Sequence, residues 1–230
     1  MRFQNVIPPI SALLAASALA ACGGGSSDNG VSSKSAQAIV SDAANAMDGL
    51  QTVHVAGSAA TGATPVTLDL HLVNGKGGTG QVSENGLSFK VITVNQTVYV
   101  NAPTSVWQHF AGPAAAQLIN GRWLKSSAAG QFAPFAKLTN LRSLFSSLLS
   151  SHGSLTKGST TSVNGQKAIA VNDTSQGGTL YVATTGKPYA LQISKSGSSG
   201  GQIRFDQFNQ SVSISPPANS IDLSQLSGSG

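Results

Sequence analysis

Charge is what this chain has least of. Charged residues fill 9% of its 230 positions, against roughly 25% in ordinary soluble domains. Ser, Thr, Asn, Gln and Gly take their place, giving the neutral polar surface of a secreted or cell-surface protein more than that of a cytosolic enzyme. The 13 basic residues exceed the 8 acidic ones, for a net charge of +5. Loss of Arg2 with a leader would leave 12 against 8, or +4. The basic residues lie scattered from Lys34 to Arg204 without a run. That pattern excludes the clustered footprint a nucleic acid requires and leaves only weak attraction to anionic surfaces. Cysteine is nearly missing as well. Cys22 stands alone, which excludes an intrachain disulfide and any metal site built from CxxC pairs. Long apolar runs are also lacking. Val6–Ala21 carries no charge but is shorter than the about 20 residues of a membrane-spanning helix, and Pro8 and Pro9 interrupt it.

Catalytic signatures are missing too. No G-x-S-x-G elbow occurs. Ser154-Leu155-Thr156-Lys157 fits S-x-x-K and Ser27-Asp28-Asn29 fits the second penicillin-binding element, but their order is reversed and no Lys-Thr-Gly occurs. The eight acids are dispersed, with no carboxylate pair visible. Gly75-Lys76-Gly77-Gly78-Thr79-Gly80 fits G-x-G-x-x-G and comes after a strand. The dinucleotide motif needs a helix next, to bring its N-terminus to the phosphates. Gln81–Asn85 and another strand come instead, so the glycines read as a hairpin. The four histidines, His54, His71, His109 and His152, lack metal-ligand spacing. His54 and His71 can meet on adjacent strands, where such residues belong to a wet face. The sequence therefore predicts no enzyme, no metal and no cofactor; an envelope hydrolase has no motif behind it.

What is present begins at the N-terminus. Met1 and Arg2 precede the uncharged run, and small residues end it, as in a signal peptide over residues 1–21. Leu19-Ala20-Ala21-Cys22 matches the bacterial lipoprotein lipobox at each position. The match implies that Cys22 receives a diacylglycerol on sulfur and becomes the mature N-terminus, carrying acyl chains of the palmitate kind. Two or three acyl chains hold a protein stably at a membrane where one does not. Gly23–Ser33 (GGGSSDNGVSS) reads as a flexible tether of roughly 18 Å root-mean-square length, making residues 22–33 anchor and tether. The expected location is the extracytoplasmic face of the cell membrane.

One domain is expected over residues 34–226, with 227–230 a frayed tail. Lys34–Leu50 repeats Ala36, Ile39, Val40, Ala43, Met47 and Leu50 at helical spacing, with Ser33 or Ser35 as cap. Strands come next at Thr52–Ala60, Val66–Leu72, Leu87–Val94 and Thr97–Asn101, with Asn85-Gly86 a type I′ turn signal. Pro103–Phe110, Ala114–Ile119 and residues 140–149 read as helices, the last capped by Asn140. A second strand set runs through Ser154–Ser162, Lys167–Val171, Gly178–Ala183, Tyr189–Ser194, Gly201–Phe208 and Ser211–Ser215. Consecutive strands joined by tight turns make an antiparallel sheet, and one this long must curl or split. The fold class is α+β: a curved antiparallel sheet wrapped over a few helices.

Several short motifs carry a resemblance along this order. The amphipathic helix passes into Gly49-Leu50-Gln51-Thr52-Val53-His54-Val55. Asn95-Gln96-Thr97-Val98-Tyr99-Val100 comes after it with Trp107 shortly behind, and then Gly121-Arg122-Trp123-Leu124. With the lipobox, these make the chain similar to the mycobacterial-type lipoproteins of the LprG/LppX kind, which share a half-barrel with the carrier LolA and the regulator RseB. The resemblance implies a lipid carrier whose concave face holds acyl chains of a lipid or lipoglycan between membrane and envelope. The alternative is an RseB-like sensor that binds an envelope protein instead of transporting lipid. A monomer is expected. Apolar side chains available for a cavity are Val66, Leu68, Leu70, Leu72, Leu87, Phe89 and Val91 on the first strands. Leu118, Leu141, Leu144, Phe145 and Leu148 come from the covering helices, and Tyr189, Leu191 and Ile193 from the second strand set. For each of them the competing reading is ordinary core.

Overall fold

The computed structural model describes residues 27–61, 64–150, 152–197 and 200–227. Within them, a 3-10 turn (Val31–Ser33) leads into α1 (Ala36–Asp48), and the chain runs on through β1 (Thr52–Thr61), β2 (Thr64–Val73), β3 (Gly77–Glu84), β4 (Leu87–Val94) and β5 (Thr97–Asn101). Next come α2 (Thr104–Ile119), β6 (Trp123–Ser127), α3 (Ala133–Leu138) and α4 (Leu141–Ser150). A second run holds β7 (Leu155–Val163), β8 (Gln166–Asp173), β9 (Gly178–Ala183), β10 (Ala190–Lys195) and β11 (Gly201–Asp206), before β12 (Ser220–Asp222) and α5 (Leu223–Ser227).

The described strands form one sheet in the order β12-β6-β5-β4-β3-β2-β1-β11-β10-β9-β8-β7, curved and unclosed. All pairs are antiparallel except β12 with β6. The expected α+β half-barrel is therefore the architecture. Hairpin chemistry sets the register: Asn85 and Gly86 have φ of 53° and 75°, and Asn164 and Gly165 have 49° and 79°, as type I′ turns require. The central strands bend where side chains are missing. Gly57 (φ 144°) and Gly80 (φ 152°) sit where a Cβ would fall 1.9 Å from the Gln202 carbonyl oxygen and 2.0 Å from that of Asp69. Only glycine permits that approach.

One face of the sheet is dry. Val53, Val55, Leu70, Leu72, Val91 and Phe205 are buried there together with Met47, Trp107, Ile119 and Phe145 from the helices. α1 covers the second half of the sheet. Ser35 caps it by accepting a hydrogen bond from the Ala38 N–H at 3.3 Å, and Ile39, Val40 and Ala43 pack on Ile169, Val171 and Val182. α2 and α3 stand over the first half. α2 is broken at Gly112 (φ 81°, ψ 166°), just before Pro113. This matches the two short helices expected with a gap between them. The end of α3 docks on β4, with the buried Thr139 and Thr93 hydroxyl oxygens 2.7 Å apart.

Four expectations need correction. The tether does not extend to Ser33. Asn29 Nδ2 donates to the carbonyls of Ala183 and Gly186, and Val31, 1% exposed, fills the cluster beneath α1, so the chain is folded from Asp28. Residues 211–215 alternate like a strand but no strand pairs with them. β3, β6, α3, α5 and the three-residue β12 are additions to the expected elements; β3 starts within the glycine run read as a hairpin, and β12 exists only through its pairing with β6. Finally, a bulge between Ala190 and Gln192 breaks the alternation of β10. Ile193 packs on the main core, while Leu191 joins Val163, Ala168 and Ala183 in a separate cluster. A residue inserted by a bulge shifts the strand's alternation beyond it to the opposite face. The signal peptide, Cys22 and residues 228–230 lie outside the described residues.

Candidate functional site

The sheet register aligns a row of apolar side chains. Leu68 pairs with Val82 and Val82 with Phe89; one step along, Val91 pairs with Val100 and Val100 with Leu124. Above them α2 contributes Trp107, Phe110 and Ile119, and the α3 segment contributes Phe132 and Phe135. Between these layers lies a cavity of about 640 Å³, within the roughly 300–1,000 Å³ typical of small-molecule sites. Its walls are aromatic. Phe89 lies 5.7 Å from Phe135 and 6.3 Å from Phe110, and Phe132 lies 6.3 Å from Phe135, ring centre to ring centre. Tilted rings at these separations are a favoured arrangement and fill space without polar demands. Glu84 and Gln131 are exposed lining residues that give the mouth a polar rim.

Two observations show how loosely this space is covered. Phe110 and Leu118 on α2 are 62% and 60% exposed, the large apolar side chains left in water among the described residues. Trp107, by contrast, is buried, and its indole N–H is the buried side-chain donor without a hydrogen-bond partner among the described residues. An unpaired buried donor of this kind costs about 1–3 kcal/mol.

Two smaller spaces flank α4. One of about 260 Å³ lies between α4 and β7–β10, lined by Leu148, Leu149, Leu155, Val171, Leu180 and Ile193. The other, about 450 Å³, lies between α1 and α4. It is more polar; across it the Arg142 guanidinium donates to the Asp48 carboxylate at 2.9 Å.

The residues expected to line a cavity are spread over several environments. Phe89 lines the large cavity. Leu148 and Ile193 line the 260 Å³ space, and Leu141 and Phe145 line the 450 Å³ space. Leu68, Leu70, Leu72, Val91 and Leu144 are buried core, with Val66, Leu87 and Tyr189 packed at its margin. Leu118 points to water and Leu191 lies in the separate cluster. Trp107, Ile119, Phe132 and Phe135 line the cavity without being among the expected residues. The Phe132/Phe135 spacing of three around Pro134 is the available signal for a helical turn with both rings on one side.

Compared with known proteins, the chain matches no protein-family model and no curated protein in sequence. Its structure does find relatives. LprF from Mycobacterium bovis superposes with a TM-score of 0.57 at 17% identity, over 80% of this chain and 97% of that one. The Mycobacterium tuberculosis lipoprotein LppX superposes with a TM-score of 0.52, also at 17% identity, over 78% of this chain and 98% of that one. The likeness is one of fold along nearly the whole of both relatives, and it is the half-barrel that the sequence resemblance implied.

Proposed function

We propose that this protein is a membrane-tethered lipid-binding lipoprotein that holds an acyl chain between the sheet and α2, without catalysis. The observation that carries the reading is the aromatic-lined cavity of about 640 Å³ under a helix broken at Gly112. Each buried methylene contributes about 0.8 kcal/mol, so a long chain binds through burial alone. The lipobox supports acylation at Cys22, which would keep the domain within reach of a bilayer; among the described residues no helix is long and apolar enough to cross one. The likeness to LppX, itself a lipoprotein, supports the same reading.

The test is native mass spectrometry of the full chain carrying Cys22→Ser, purified from its own envelope, then titration of the stripped protein with a fluorescent fatty acid. Co-purified lipid and saturable uptake are expected. A lipid-free protein that takes up no fatty acid overturns the proposal. In cells, Cys22→Ala is expected to release the protein from membranes with its folding unchanged. The exposed Phe110 and Leu118 side chains also suit a partner-binding, RseB-like role. A stoichiometric envelope partner retained regardless of added lipid would favour that second reading.

A further inference from the structure

On the sheet face turned away from the helices, β11, β1 and β2 lie side by side and bring four chemistry-bearing residues together. His54 pairs with Asp206 on one side and with His71 on the other. Asp69 precedes His71 by two residues and so shares its face. The contacts are direct. His54 Nδ1 lies 2.7 Å from Asp206 Oδ1, and His54 Nε2 lies 3.0 Å from Asp69 Oδ1. The two imidazole rings stack with centres 4.5 Å apart and planes 22° from parallel. The His54 side chain is 15% exposed, whereas that of Asp69 is 68% exposed and free to turn.

A neutral imidazole offers one donor and one acceptor. With a carboxylate oxygen against each ring nitrogen of His54, a neutral ring would set a nitrogen lone pair against an anion. Something positive belongs on the Nε2 side, either a proton or a metal ion. A proton leaves His71 unexplained, since its ring is stacked against a cation without bonding to it. A metal ion uses all four groups. The ligand atoms of His54, Asp69 and His71 lie within 4.8 Å of one another. A tetrahedral ion with bonds of about 2.0–2.1 Å needs them roughly 3.4 Å apart; Asp69 Oδ1 is already 3.0 Å from His54 Nε2, so the adjustment falls on His71, whose ring must tilt out of its stack on His54 to aim a nitrogen at the same point. Asp206, accepting from Nδ1–H, fixes the tautomer that presents the Nε2 lone pair, as carboxylates do behind metal-binding histidines.

We propose that His54 Nε2, His71 and Asp69 bind one divalent transition-metal ion of the zinc, cobalt and nickel class, with Asp206 as the positioning residue. Two imidazoles and one carboxylate suit these borderline ions better than magnesium or calcium, which prefer all-oxygen sites. Three protein ligands leave water in the remaining position. The site lies on the face of the sheet opposite the cavity and does not depend on lipid binding.

The experiment titrates the full chain carrying Cys22→Ser, stripped with a chelator, with zinc chloride by calorimetry and with cobalt by visible absorption. One ion per chain is expected, with a dissociation constant below about 100 µM. His54→Ala and His71→Ala should each weaken binding at least about tenfold, and Asp206→Asn about ten- to hundredfold. His109→Ala and His152→Ala should leave it unchanged. Circular dichroism of each apo variant reports its folding. Imidazole nitrogen NMR of the protein with all four histidines intact gives an independent reading: zinc should shift Nε2 of His54 and a ring nitrogen of His71. No binding at about 1 mM zinc, no shift at these two rings, or full affinity in folded His54→Ala and His71→Ala overturns the proposal.

Discussion

Two of the helices that cover the sheet, α1 and α2, do so in opposite ways. α1 is continuous, capped at Ser35, and presses Ile39, Ala43 and Met47 into complete burial. α2 buries Val106, Trp107, Ala116 and Ile119, yet it is interrupted at Gly112 and leaves Phe110 and Leu118 in water above the largest cavity. The same sheet therefore carries a half held by a continuous helix, with the smaller spaces beside α4, and an openable half with a larger one. The fully buried α1 side chains hold the former, and the larger room for a ligand lies under α2. Regions with few buried contacts open at lower free energy than the global fold, and binding sites are drawn from that end of the range.

Substitutions can break this contrast, and the largest effect is expected under α1. Ile39→Ala should cost about 2–5 kcal/mol by leaving a cavity in a packed cluster, seen as a lower midpoint in urea unfolding. Next comes Gly112→Ala. The φ/ψ pair at Gly112 is one that essentially only glycine adopts, and other residues pay about 1–3 kcal/mol there. That cost should fall on α2 alone, read as faster amide exchange in residues 104–119 with little change in α1. Third, Ala111→Trp places a large ring at the cavity lining. It should weaken fatty-acid uptake about tenfold while moving global stability by less than about 1 kcal/mol. Equal losses of stability in Ile39→Ala and Ala111→Trp would erase the contrast.

The smallest effect belongs to the β8–β9 turn, on the half of the sheet under α1. Backbone N–H groups of Gly153 and Gln176 donate to the Asp173 carboxylate, with further help from Ser175 and the His152 charge against slight burial, and hold its pKa below the ordinary 3.8. A carboxylate depressed in the folded state stabilises above its unfolded pKa and loses that contribution as pH falls through the folded one. Stability should thus decline below about pH 3.8, and Asp173→Asn should flatten that part of the acid limb, measured as Tm against pH.

The parts of the molecule legible from sequence are those with a local cause. Val66–Leu72 alternates because one side is dry, and Asn-Gly pairs mark hairpins because they tolerate positive φ. α1 and α4 repeat at helical spacing, with Ser35 and Asn140 as caps. The parts that are not legible depend on distant partners. Ser211–Ser215 alternates as well as any strand but has nothing to pair with, whereas the unremarkable Ser220–Asp222 finds β6. Leu191 changes face because of a bulge, and a bulge has no sequence signature at that point. The site is half visible: the gap between Phe110 and Ala114 in the helical pattern marks the break in α2, but the space beneath it depends on where α3 brings Phe132 and Phe135. Likewise the spacing of His54 and His71 shows nothing until the β1–β2 register places them opposite each other and Asp206 arrives from β11.

An unclosed sheet keeps two open edges, and one of them, β7, pairs on a single side only. Its outer residues are mostly exposed Thr, Ser and Lys157, and a register break separates Lys157 from Thr160. Lysine and an irregularity on an edge are both obstacles to a second strand adding there. For a chain this poor in charge, the consequence is colloidal. The edge that leaves the half-barrel open also keeps neighbouring copies from joining into a continuous sheet, so crowding need not become aggregation.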